Sequence, residues 1–146
     1  MDTTTMGRVT TEATIESLQD LYAVRAGILT PERVRRVAVP DAVVDTGATL
    51  LSLPIDLFDE LGLKRVGFKR VRMTTGVCEA RLYDAVRLTV LGRTCTTDVL
   101  ELPHGSPVLI GQLPLESLDF VVDLRGRRLI GNPEHGGEQM YELYAE

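Results

Sequence analysis

Along most of this chain apolar and polar residues alternate with a period of two, and that rhythm commits it to strands rather than helices. In VTTEATIES, Val9, Thr11, Ala13 and Ile15 fall on one face, with Glu12, Thr14 and Glu16 on the other. LYAVRAGIL and ERVRRVAV flank a Thr30-Pro31 turn signal and predict a second strand pair. Further strands are expected at 42–45, 66–73, 79–92, 94–103, 117–124 and 127–131, with turn chemistry at Gly92-Arg93 and Arg125-Gly126. Many short strands of this kind indicate an all-β barrel or folded-over sheet.

Two short helices interrupt the strands. SLPIDLFDELGL carries Ser52 as the expected N-cap, Pro54 near the first helical position and Gly62 as the stop. GQLPLESLD is the second, because Pro114 is tolerated only in a first helical turn. No whole-domain repeat, low-complexity segment or linker divides the sequence, so a single domain over 1–146 is expected. Its ends, 1–8 and about 134–146, are expected to be flexible.

Composition narrows the function. At 146 residues, 44% hydrophobic and 25% charged, the chain can bury a core. A net charge of −5 argues against nucleic acid or an anionic membrane as partner. The basic clusters at Arg35-Arg36, 69–72 and 125–128 are expected on solvated faces and turns. No stretch approaches the roughly 20 apolar residues that span a bilayer. MDTTTMGRVTTEATIE lacks the layout of a secretory signal, so the expected compartment is the cytoplasm. Cys78 and Cys95 lack CxxC spacing and are expected to be reduced. His104 and His135 lie in Pro/Gly-rich turns with no nucleophile motif or zinc spacing beside them, and no glycine pattern forms a phosphate loop. Neither a metal nor any other cofactor is implied.

One stretch breaks the rhythm. AVVDTGATLLSLP places Asp45 between apolar runs, where a lone ionised carboxylate is costly unless it is paired or shares a proton. A bare DTG is also an ordinary turn. Here it is followed by Ala48 and a helix-opening LLSLP, and downstream by PVLIGQLPLESL, an apolar triplet ending in glycine before a second helix. Between them lies a β-rich stretch with a candidate hairpin tip at Thr74-Thr75-Gly76-Val77.

This order resembles the retroviral-type (retropepsin-like) aspartic proteases, above all their small bacterial single-domain members. The resemblance covers about residues 35–133. It implies a retropepsin-like closed barrel or folded sheet, one lobe per chain, active as a two-fold homodimer. Asp45, Thr46 and Gly47 would then be catalytic, with two Asp45 carboxylates, one per chain, activating a water against a peptide bond. Like charges that close cannot both ionise, so such a pair titrates as a unit. Thr46 would bond across the two-fold axis, and Gly47 would admit backbone close to the carboxylates. Ala48, flap residues Thr75, Gly76 and Val77, and Leu109 with Ile110 would contact substrate, the last two and Val77 giving apolar pockets. Ala48 offers no hydroxyl to the outer carboxylate oxygens, which implies an optimum at milder acidity than pepsin's.

The second acid must come from a second chain, because Asp123 in FVVDLRG is followed by Leu124 and Arg125 and reads as a strand ending in a turn. Three features depart from the viral pattern. Thr49 and Gln112 stand where an acid and an arginine are usual, the flap MTTGVCEA holds one glycine, and residues 1–34 precede the matched region. The expected partners are therefore a second copy and a polypeptide substrate. Two alternatives stay open: a catalytically silent peptide-binding or dimerisation module of the same fold, and an unrelated barrel in which DTG is only a turn.

Overall fold

Most of the period-two segments become strands in the computed structural model, which describes residues 8–143. Residues 1–7 and 144–146, part of the ends expected to be flexible, lie outside the described residues. β1 (Val9–Ser17) buries Val9, Ala13, Ile15 and Ser17 on one face, as the alternation requires. It pairs antiparallel with β2 (Arg36–Val44). Glu12 faces both Pro40 and Asp41 there, a bulge that accommodates the proline's missing N–H.

Seven strands form one sheet. After β2 come β3 (Leu51–Pro54), β4 (Arg65–Met73), β5 (Gly76–Val90), β6 (Arg93–Leu102) and β7 (Leu109–Ile110), in the spatial order β1-β2-β7-β3-β6-β5-β4. β1 also pairs with β5, so the sheet closes on itself and only β4 stands outside the ring. Closure removes edges and traps a single core of Ile15, Leu51, Leu53, Leu88, Val99 and Ile110, none more than 1% exposed. β8 (Phe120–Asp123) and β9 (Arg128–Gly131) form a separate hairpin, with Asp123 ending its strand as expected. The β5–β6 turn is Leu91-Gly92, both at positive φ (48° and 81°), the geometry of a tight hairpin. Among the described residues the architecture is mostly β, with three short helices.

Two local expectations fail for identifiable reasons. LYAVRAGIL is not a strand: residues Leu18–Arg25 form helix α1. Ser17 caps it, accepting the Asp20 N–H at 3.2 Å, and Asp20 then takes Arg35 as a two-pronged partner (2.8 and 2.9 Å). The S-x-x-D signature at Ser17–Asp20 carried that information, and the apolar alternation masked it. Similarly, Ser52 is not an N-cap but a buried residue of β3, and the helix begins later, as a 3-10 turn at Ile55–Leu57 leading into α2 (Phe58–Leu61). Gly62 does end it, at φ +64°, with the Arg35 guanidinium packed where a Cβ would stand.

Where β5 leaves the ring toward β4, Tyr83 is fixed from two sides. Its ring lies 4.1 Å from that of Phe58, and its hydroxyl donates to Glu101 at 2.6 Å. Burial, then the neighbouring Glu101 carboxylate, raises the phenol above its ordinary value and keeps it a neutral donor.

Candidate active site

Asp45 is the first residue after β2, in the loop 45–50 that leads to β3. The short strand β7 lies between those two strands, parallel to β2 and antiparallel to β3. Apolar Val43, Val44, Leu109 and Ile110 provide the pairing, and their backbone extends it into the loop: Val43 N–H donates to the Val108 carbonyl (2.8 Å), and Asp45 N–H to that of Ile110 (2.9 Å). The loop is thus anchored from beneath at its first residue.

The far side of the loop is tied to helix α3 (Gln112–Leu118). A helix leaves its first N–H groups without partners inside the helix. Here two of them find loop carbonyls, Gln112 donating to Ala48 (2.8 Å) and Leu113 to Thr49 (3.0 Å). Just ahead of the helix, Gly111 donates to Leu50 (3.1 Å). A Cβ on Gly111 would fall against the Leu50 carbonyl and lie 2.7 Å from that of Ala48, so only glycine allows this approach. The glycine is needed for space, since its backbone (φ −86°, ψ −177°) is open to any residue.

Within the loop, Ala48 N–H closes a turn onto the Asp45 carbonyl (3.1 Å), and Gly47 N–H donates to Asp45 Oδ1 (3.0 Å). Asp45 is half-exposed, and among the described residues it has no cationic partner. Thr46 and Gly47 are exposed and Ala48 is half-buried. A Cβ on Gly47 would meet Asp45 Oδ1 at 3.3 Å, so a side chain there would crowd the carboxylate within its own chain. Gln112 turns to Glu116 (3.0 Å) and Thr49 uses its backbone carbonyl.

The other expected site residues divide into three groups. Leu109 is half-buried beside the loop. Ile110, expected at a substrate pocket, is fully buried in the single chain: its side chain belongs to the core and its carbonyl holds Asp45. Thr75, Gly76 and Val77 sit at the exposed β4–β5 turn, and among the described residues no hydrogen bond joins that turn to the Asp45 loop. A shallow hollow of about 240 Å³ lies between Leu50, Leu113, Pro114 and the β6 residues 96–98, and does not include Asp45.

A second cluster escaped sequence reasoning altogether. His135, expected on a surface loop, has a side chain only 12% exposed, with Nδ1 2.6 Å from Asp119 Oδ2 and Nε2 3.1 Å from Glu142. Asp119 ends α3 at φ +60° and also accepts from Asn132 (3.2 Å) and the Met140 N–H (3.0 Å). Arg93 ties the same corner, donating to the carbonyls of Leu118, Asp119 and Gly137. The hydrogen bond between them raises the His135 pKa and lowers that of Asp119, so both favour their charged forms. These partners come from segments far apart in sequence, and no local motif announces them.

Both cysteines are free, Cys78 exposed and Cys95 buried, and burial raises the Cys95 thiol. Among the described residues no helix is long and apolar enough to cross a membrane. Compared with models of protein families and with curated proteins, the chain matches neither.

Proposed function

We propose that the chain is a cytoplasmic aspartic endopeptidase of the retropepsin-like type, working as a two-fold homodimer on polypeptides. The observation that carries this reading is the Asp45 loop: a carboxylate without a cation among the described residues, in a loop held half-exposed by backbone bonds from β7 and α3. A turn aspartate would need no such bracing. Exposed Thr46 and Gly47 beside it leave the loop free to meet the same loop of another copy. The strand inserted between β2 and β3 supports the same reading, since it connects the VLIG element to DTG as the resemblance requires.

In such a dimer the two Asp45 carboxylates share one proton. The ionised one takes a proton from water as its oxygen bonds to the peptide carbonyl carbon, while the protonated one donates to the carbonyl oxygen. Collapse of the tetrahedral intermediate breaks the C–N bond, and a proton from the carboxyl pair goes to the leaving amine. Thr46 would bond across the axis and Gly47 would keep the approach open. Ala48, Leu109 and the hairpin tip Thr75–Val77 are the proposed substrate contacts, without Ile110.

The test is cleavage of a diverse peptide library between about pH 3 and 7, with wild type and Asp45→Asn, with and without pepstatin, over a range of protein concentration. The expected result is cleavage that pepstatin blocks, that Asp45→Asn abolishes, and whose specific activity rises with concentration. Cleavage retained in Asp45→Asn would refute the chemistry. Absence of cleavage from a chain that sediments as a dimer would favour the silent binding module.

A further inference from the structure

Of the seven strands described, β4 alone lies outside the closed ring. Through the β1–β5 pairing every other strand of the seven has neighbours on both sides, whereas β4 is paired only with β5. Its nine residues therefore present a row of backbone N–H and C=O groups at an open edge, every second residue aimed outward. Beyond the bulge at Val66 the register with β5 is unbroken from Gly67 to Met73.

The charge on this edge is one-sided. β4 carries Arg65, Lys69, Arg70 and Arg72 and no acid, in a chain whose net charge is −5. Among the described residues none of these four has a carboxylate within ion-pair distance, and Glu79, the register partner of Arg70, is not close enough to neutralise it. Arg65 lies over the ring of Phe68, 4.8 Å from its centroid, and that ring is itself half-exposed. Val66 and Met73 are exposed as well, at 60% and 48%.

Charged edge strands are a common defence against edge-to-edge aggregation, and four cations do oppose pairing of β4 with the β4 of another copy. Defence alone does not account for Val66, Phe68 and Met73 left on the same strand, since exposed apolar side chains invite what the charges repel. Cations that exclude a like strand, on an open backbone edge with apolar side chains, fit one occupant. We propose that β4 is a docking edge for an extended, acidic polypeptide segment. The segment adds as a further strand, its backbone paired to β4, its carboxylates against Arg70 and Arg72, whose face also carries Phe68, and its apolar residues on the opposite face beside Val71 and Met73. This inference is independent of the Asp45 chemistry and stands or falls separately from it.

The probe is a rhodamine-labelled peptide of alternating Glu and Val, ten residues long, titrated by fluorescence polarisation into both the wild-type chain and Asp45→Asn. Three controls accompany it: the Lys/Val counterpart, the Glu/Val peptide N-methylated at every second residue, and an oligo-dT strand. The Glu/Val peptide should bind both proteins equally and about tenfold or more tighter than Lys/Val. Its affinity should fall about tenfold between roughly 50 and 300 mM salt. Arg70→Ser/Arg72→Ser should weaken it by about tenfold, and Phe68→Thr should weaken it less while leaving the salt dependence intact. These side chains are exposed, and circular dichroism checks that each variant keeps its strands. Equal affinity for the Lys/Val peptide, undiminished affinity after N-methylation, tighter binding of oligo-dT, or no binding of the Glu/Val peptide would each overturn the proposal.

Discussion

The two ends of helix α3 are held in opposite ways. At its start, the Asp45 loop is fixed almost wholly by backbone groups, with N–H donors of Asp45, Gly111, Gln112 and Leu113 each finding a carbonyl. At its end, the segment after β9 is clasped by charged side chains, His135 between Asp119 and Glu142, with Arg93 reaching three carbonyls. Backbone bracing leaves the one carboxylate of the first region bonded only to the Gly47 N–H, with no charged partner among the described residues. The clasp uses its charges structurally and has none to spare. A side chain free of charged partners inside such a frame is what distinguishes a place for chemistry from a place for stability.

The comparison breaks most severely at Gly111. Gly111→Ala pushes a Cβ into the loop carbonyls, and a loss of about 3 kcal/mol in urea unfolding is expected. A loss below about 1 kcal/mol would mean the loop yields easily and is not braced. At the other end, Asp119→Asn keeps a residue suited to φ +60° while removing the charge. Limited proteolysis after residue 131 should then accelerate on the order of tenfold, with the barrel itself still resistant. Unchanged proteolysis would show that Arg93, with Gln139 and Tyr141 on the Ser117 carbonyl, holds the segment without the Asp119 charge.

Acidity separates the two regions more finely. His135 has a raised pKa, so its contribution is fully present below the ordinary imidazole value and is lost as pH rises through the raised one. Asp119 has a lowered pKa, so its contribution is present above the ordinary carboxylate value and lost as pH falls through the lowered one. The clasp is therefore strongest between roughly pH 4 and 6.5 and loosens above it. Neutral imidazole has one N–H and cannot donate to both carboxylates. Amide exchange, corrected for its intrinsic pH dependence, should show Met140 losing protection from pH 6 to 9 while Gly111, Gln112 and Leu113 do not. Parallel loss at both sites would erase the distinction. The smallest effect is expected at Asp45 itself: Asp45→Asn should shift stability by no more than about 0.5 kcal/mol, since the half-exposed carboxylate bonds only the Gly47 N–H, which an amide oxygen can still accept.

Strand positions were legible in the sequence because period two survives wherever one face is buried, as along β1 and β5. Helix α1 was hidden since Leu18, Leu21, Ala23 and Val24 fit a strand pattern as well as a helix, and only Ser17 and Asp20 told them apart. The Asp45-Thr46-Gly47 loop and the VLIG element were both visible as motifs. What joins them was not, because a pairing between β2 and β7 depends on register across a long separation in sequence. Ile110 shows the cost: in a two-residue strand one neighbour faces the core and the other does not, and sequence offers no way to choose between Leu109 and Ile110.

The insertion of β7 between β2 and β3 also sets an order of events during folding. β2 and β3 are made early, yet they cannot take their final spacing until Leu109 and Ile110 arrive between them. A nascent chain still lacking β7 keeps an unfilled slot, and closing the long intervening segment carries an entropic cost that slows the last step. The Asp45 loop is thus held on both flanks only once β7 and α3, which follow most of the barrel in sequence, are in place.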